Sequence, residues 1–128
     1  MTRSAIETPK AKAVGPYSMA IAAGDFVYLS GQTPLDPATG KLAEGDIGAQ
    51  TEQCLKNLAA VLTAAELSFA DVVKSNVFLT DIADFAAMNA VYAKHMVAPF
   101  PARSTIGVAA LPLGARVEIE MVAYRGKG

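Results

Sequence analysis

The stretch ARVEIEMVAY at residues 115–124 alternates strictly. Val117, Ile119, Met121 and Ala123 fall on one side of an extended chain, and Arg116, Glu118, Glu120 and Val122 on the other. Successive strand side chains point to opposite faces, so one face of this strand must be covered by apolar partners. The other face mixes charge with an aliphatic residue. Such a half-wet face is where subunits meet or ligands sit, so an oligomer is expected.

The chain supplies the cover for the apolar face. From Asp46, a side chain suited to capping a helix, Ile47, Cys54, Leu55, Leu58, Val61, Leu62 and Ala65 recur at spacings of three and four. That pattern predicts an amphipathic helix of about five turns. Asp81 is placed to cap a second helix with Phe85, Met88, Asn89, Tyr92 and Met96 on one stripe, stopped by APFP. Residues 17–32 read as two strands joined by a Gly24-Asp25 turn, and TPLDPATGK, residues 33–41, as a loop. The β-branched run at 72–80 suits a buried strand, and 103–110 and 115–124 form the last two, turned by LPLG. The expected order is ββαβαββ: an α+β fold, mainly antiparallel sheet with two helices packed on one face, in a single domain spanning residues 1–128.

Composition narrows the classes. Of 128 residues, 52% are hydrophobic and 18% charged, yet no run approaches the roughly 18 apolar residues of a membrane span. The apolar excess is therefore assigned to a subunit interface. The N-terminal MTRSAIETPKAKAVG lacks the apolar core of a secretory signal, and a single cysteine, Cys54, fits a reducing compartment. Cytoplasm is the default. A net charge of −1 with scattered basic residues gives no electrostatic footprint for nucleic acid.

The same counting removes most chemistries. One His and one Cys cannot furnish a Cys/His zinc cluster or a two-His-one-carboxylate site, so no metal is expected. There is no G-x-S-x-G elbow, and SGQTPLDPATGK lacks the spacing of a phosphate loop. His95, off the apolar stripe beside Lys94, reads as a solvated helix residue, and Cys54 as core. Arg103 and Glu118 remain. Arg103 stands in FPARSTIGVAALP as the one charge in a stretch of apolar, small and hydroxyl-bearing residues, after Pro101 and beside Ala102, Ser104 and Thr105. One reading makes Arg103 and Glu118 an ion pair between adjacent strands. The other makes Arg103 a planar fork for a carboxylate or phosphate, and Glu118 a carboxyl whose burial brings it into acid–base range.

FPARSTIGVAALPLGARVEIEM resembles the signature of the reactive intermediate deaminase (RidA, YjgF-like) family, and GPYS at 15–18, SGQTPLDPATG at 30–40 and DFAAMNAVYAKHM at 84–96 fall in the family's order. The resemblance spans essentially the whole chain. It implies a chorismate-mutase-like fold assembled as a homotrimer, with each cleft between two subunits. It implies cofactor-free hydrolysis of 2-imino or enamine acids, such as 2-aminoacrylate and 2-iminopropanoate, to 2-oxo acids and ammonia. Arg103 would then grip the substrate carboxylate, helped by the amide of Thr105, and Glu118 would orient or deprotonate the attacking water. Tyr17, Ser30 and Gly31 would reach the cleft from the neighbouring subunit, and Asn89 matches a recurring family position. Many relatives carry Cys where this chain has Thr105, which preserves an amide contact but no thiol role. The rival readings are a non-catalytic sensor of 2-oxo or amino acids, an RNA-directed ribonuclease or translation inhibitor, and a deaminase specialised for a larger enamine.

Overall fold

In the computed structural model of the chain, which describes residues 2–11 and 13–126, Asp46 opens the longer helix as its position implies. Its carboxylate accepts the Ala49 N–H at 3.0 Å, satisfying a donor that the first turn leaves free, and α1 (Ile47–Ala64) follows. Cys54, Leu55, Leu58, Val61 and Leu62 form its buried stripe. That stripe lies on one face of a six-stranded sheet ordered β1-β2-β3-β8-β6-β7. The strands are β1 (Arg3–Ile6), β2 (Ala20–Ala23), β3 (Phe26–Gln32), β6 (Val72–Leu79), β7 (Ala102–Gly107) and β8 (Val117–Tyr124); β4 (Leu35–Asp36) and β5 (Lys41–Leu42) form a separate hairpin.

β8 is the central organiser. Val117, Ile119, Met121 and Ala123 are all buried against the helices, while Glu118, Glu120 and Val122 look out from the opposite face. All pairings are antiparallel except β6 with β7. A parallel pair needs a crossover, and the second helix, α2 (Phe85–His95), supplies it. Its Met88 and Tyr92, with Met96 just beyond, are buried beside α1. The turn between β2 and β3 falls at Gly24-Asp25, where Gly24 takes φ +61°.

Several expectations need correction. The order ββαβαββ omits β1, whose RSAI is mostly exposed and is held by its pairing with β2. The TPLDPATGK loop contains the β4–β5 hairpin. Asp81 caps a single 3-10 turn, Ile82–Asp84, rather than α2 itself. Asp84 stands at the start of α2 without a capping bond, because its carboxylate is taken by Arg116 Nη2 at 3.0 and 3.1 Å. The last two strands run Ala102–Gly107 and Val117–Tyr124 rather than 103–110 and 115–124, and 112–114 form another 3-10 turn between them. His95 is not simply solvated. Its Nε2 lies 2.9 Å from Glu52 Oε1, tying α2 to α1.

Candidate active site

The strand order decides how the sequence-derived site residues are arranged. β6 lies between β7 and β8, so Arg103 and Glu118 are not on adjacent strands. Arg103 pairs in register with Ser75, and Glu118 with Phe78. These β6 positions are three apart, so they point to opposite faces of the sheet. An ion pair between Arg103 and Glu118 within one chain is thereby ruled out.

Glu118 stands on the face away from the helices. It lines a cavity of about 750 Å³ together with Tyr17, Ser30, Gly31, Leu113 and Glu120. A β-bulge shapes this wall: Leu29 pairs with Met121 and Gln32 with Ile119, so β3 carries one extra residue at Ser30-Gly31. The Ser30 hydroxyl donates to the Ser18 carbonyl at 2.6 Å, pinning the bulge to the segment that carries Tyr17. Gly31 is required by close approach. A Cβ there would meet Glu118 Oε2, with Glu118 Cδ only 3.0 Å away. Across this cavity, Leu113 holds a left-handed backbone with φ +63°, a strained choice for a branched residue that recurs at functional sites.

The Glu118 carboxyl is pushed above its ordinary range, first by burial and then by the neighbouring Glu120 charge. Glu120 is in turn held by Asn76, whose Nδ2 donates to it at 2.9 Å. Glu118 is thus a carboxyl disposed to carry a proton. Beneath it on the helix side, burial pushes the Cys54 thiol well up, and Glu118 adds to this. A thiol so raised is inert, in keeping with its reading as core.

Arg103 occupies the other face, at the outer edge of the sheet. Its guanidinium carbon sits 4.7 Å from the Tyr92 ring centroid and 5.6 Å from that of Phe85. Among the described residues it forms no salt bridge; the two that occur join His95 to Glu52 and Arg116 to Asp84. With Asn89, Tyr92, Met96, Phe100 and Pro101 it lines a cavity of about 310 Å³. Thr105 follows on the same face, and its Oγ1 is buried without a hydrogen-bond partner. The candidate residues therefore form two half-sites: Tyr17, Ser30, Gly31 and Glu118 on one face, Asn89, Arg103 and Thr105 on the other.

The description "Endoribonuclease L-PSP" belongs to a family model that matches residues 7–125. Reactive Intermediate Deaminase A of Arabidopsis thaliana is 48% identical over 122 residues, covering 94% of this chain and 65% of that protein. The chain belongs to the RidA/YjgF-like family. A human relative named 2-iminobutanoate/2-iminopropanoate deaminase is 44% identical over 127 residues, covering 98% and 93% of the two chains. The crystal structure of RidA from the Antarctic bacterium Psychrobacter superposes with a TM-score of 0.91 at 49% identity, over 94% of this chain and 98% of that one. The RidA-like architecture of a mainly antiparallel sheet under two helices is thus shared along nearly the whole length.

Sequence reasoning missed several residues that line the two candidate half-sites. Phe85 and Tyr92 read as helix stripe, and nothing local reveals that Arg103 lies over them. Asn76 was unread because its partner is 44 residues away. Glu120 was legible in principle: two carboxylates at i and i+2 on one strand share a face. Among the described residues no group of three or more His, Cys, Asp or Glu is placed to hold a metal ion, and no helix is long and apolar enough to cross a membrane.

Proposed function

We propose that this RidA-family protein hydrolyses 2-imino and enamine acids to 2-oxo acids and ammonia, in clefts where the Arg103 half-site of one copy meets the Glu118 half-site of another. The observation that carries the reading is the Arg103 guanidinium, placed over the Tyr92 and Phe85 rings in a small, largely apolar cavity, with no carboxylate bound to it among the described residues. A charge so placed calls for an external anion, and a planar fork matches the two oxygens of a carboxylate. The name of the human relative, 2-iminobutanoate/2-iminopropanoate deaminase, supplies an acid of that kind.

The chemistry asks little of the protein. An enamine acid first takes a proton on its carbon, and a raised carboxyl such as Glu118 holds one to give. The resulting Glu118 carboxylate then accepts a proton from water as the water oxygen bonds to the imine carbon. Glu118 returns this proton to the nitrogen, and the C–N bond breaks with its electron pair leaving on ammonia. The remaining hydroxyl passes its proton to the Glu118 carboxylate, which gives the 2-oxo acid and restores the protonated carboxyl. Imines react with free water unaided, so positioning and this one relay account for the catalysis. The half-sites lie on opposite faces of one sheet, so a second copy must bring them together; a cyclic trimer does this three times over.

Net charge of −1 gives no cationic track for a phosphodiester backbone, which disfavours an RNA-cleaving role despite the family model's description. The test is a coupled assay in which an amino-acid oxidase generates the imine and semicarbazide traps it. Less semicarbazone and faster ammonia release in the presence of the protein, both lost in Arg103→Ala, support the deaminase. Binding of 2-oxobutanoate without ammonia release would instead make it a sensor.

Gly31 provides a check on the geometry. Gly31→Ala is expected to push the Glu118 carboxylate aside and, since misplacement by about 1 Å can cost around a hundredfold, to reduce turnover on that order. The fold should survive, because the colliding atom ends a flexible side chain. Ammonia release together with a thermal melt separates the two effects.

A further inference from the structure

Ser75 is out of place. It occupies an inward position of β6 in line with Val77 and Leu79, and like them it is fully buried. A serine there sacrifices apolar burial, so its hydroxyl needs a purpose. Its Oγ lies 2.6 Å from the phenolic oxygen of Tyr92, itself only 6% exposed. Ser75 is also the register partner of Arg103 across the β6–β7 pair. One strand position thus stands beside the Arg103 backbone and also fixes the ring on which the Arg103 guanidinium rests.

We propose that Tyr92, locked by Ser75, is the positioning residue for Arg103: a fixed aromatic shelf that holds the guanidinium flat, with its N–H edge free for the substrate carboxylate. The proposal rests on the reading of Arg103 as carboxylate anchor. A guanidinium is attracted to a ring face while its donors project in its own plane, so stacking orients the fork without consuming its hydrogen bonds. An exposed arginine has large rotamer freedom to lose on binding, and a shelf removes that freedom beforehand. Phe85, two turns earlier on α2, flanks the guanidinium from 5.6 Å and extends the shelf along the helix. Tyr92 can be held to one orientation because its hydroxyl is bonded to a strand; a phenylalanine ring would lack that tether.

A merely structural role for the Ser75–Tyr92 bond, pinning α2 to the sheet, makes a different forecast. The probe is 2-oxobutanoate, with its dissociation constant measured by calorimetry and the KM and kcat of imine hydrolysis measured alongside. Tyr92→Leu is expected to weaken 2-oxobutanoate binding by about three- to thirtyfold, the span of a cation–π contact, raising KM more than it lowers kcat. Placed on Arg103→Ala, the same Tyr92→Leu should cost no further affinity, because the shelf then has nothing to hold. Ser75→Ala, which removes the tether, should weaken binding, and the double variant Ser75→Ala/Tyr92→Phe, whose ring is equally untethered, should stay as weak. Recovery of the parent's affinity in the double variant would mean that Ser75→Ala acts only by stranding the phenol, and would overturn the lock. Those two variants carry the test if Tyr92→Leu does not fold. Equal losses from Tyr92→Leu in both backgrounds, or no loss from either Tyr92→Leu or Ser75→Ala while Arg103→Ala binds poorly, overturn this proposal alone. Unchanged binding by Arg103→Ala overturns the anchor reading and the shelf with it.

Discussion

Arg103→Ala is expected to lower kcat/KM for imino-acid hydrolysis by about ten- to a hundredfold, given ~1.5–3 kcal/mol for a charge-assisted hydrogen bond and ~1.4 kcal/mol per decade of rate. The placement over the Tyr92 ring sharpens this expectation. Arg103→Lys keeps the charge, yet an ammonium is a compact point charge with neither a planar surface for the Tyr92 ring nor two parallel donors for a carboxylate. It should therefore recover little of the loss. Ammonia release in the coupled assay reads both variants. Activity near that of the unaltered protein in Arg103→Lys would mean that charge alone suffices and that the fork geometry is irrelevant.

Glu118→Gln is expected to abolish the proton relay and lower turnover by about a hundred- to ten-thousandfold, the usual contribution of a positioned acid or base. It should also make the fold more stable at neutral pH. Burial and the Glu120 charge raise the Glu118 carboxyl from its ordinary value of 4.5, so the folded chain binds its proton more tightly than the unfolded chain does. The associated stability is fully present below pH 4.5 and is lost as pH rises through the elevated folded value. Glutamine bears no charge at any pH and escapes that loss. The melting temperature of Glu118→Gln should thus match the parent in acid and exceed it at pH 7. A variant that is less stable at pH 7 would mean that the Glu118 charge is compensated in the assembled protein. Gain of stability with loss of activity is the expected mark of a group placed for reaction rather than for folding.

How far the sequence reached depends on the range of the interactions involved. Asp46 and the spacing from Ile47 to Leu62 announce α1 because helix caps and stripes are local. The alternation of β8 is equally local, and all four inward residues are buried as read. β1 was missed because RSAI carries no alternation and its stability comes from pairing with β2. Asp81 caps only the 3-10 turn, and Asp84, at the start of α2, has its carboxylate drawn off by Arg116, 32 residues beyond and out of reach of any local pattern. The site shows the same division. Arg103 and Glu118 could be picked out as a guanidinium and a carboxyl in apolar settings, but their opposite faces follow from β6 lying between their strands, which no local pattern records. Ser75 and Tyr92 each look unremarkable alone; their meaning lies in a contact that closes over 17 residues.

The central claim, that each reactive cleft takes Arg103 from one copy and Glu118 from another, is tested most directly by subunit mixing. Arg103→Ala and Glu118→Gln should each be nearly inactive alone. Unfolded together in equal amounts and refolded, they should form mixed assemblies in which about one quarter of clefts receive an intact Arg103 and an intact Glu118 from different copies of a cyclic trimer. Ammonia release should return to about that fraction of the parent's. If the mixture shows no more activity than the two variants measured apart, the two residues do not meet across copies and the account is wrong.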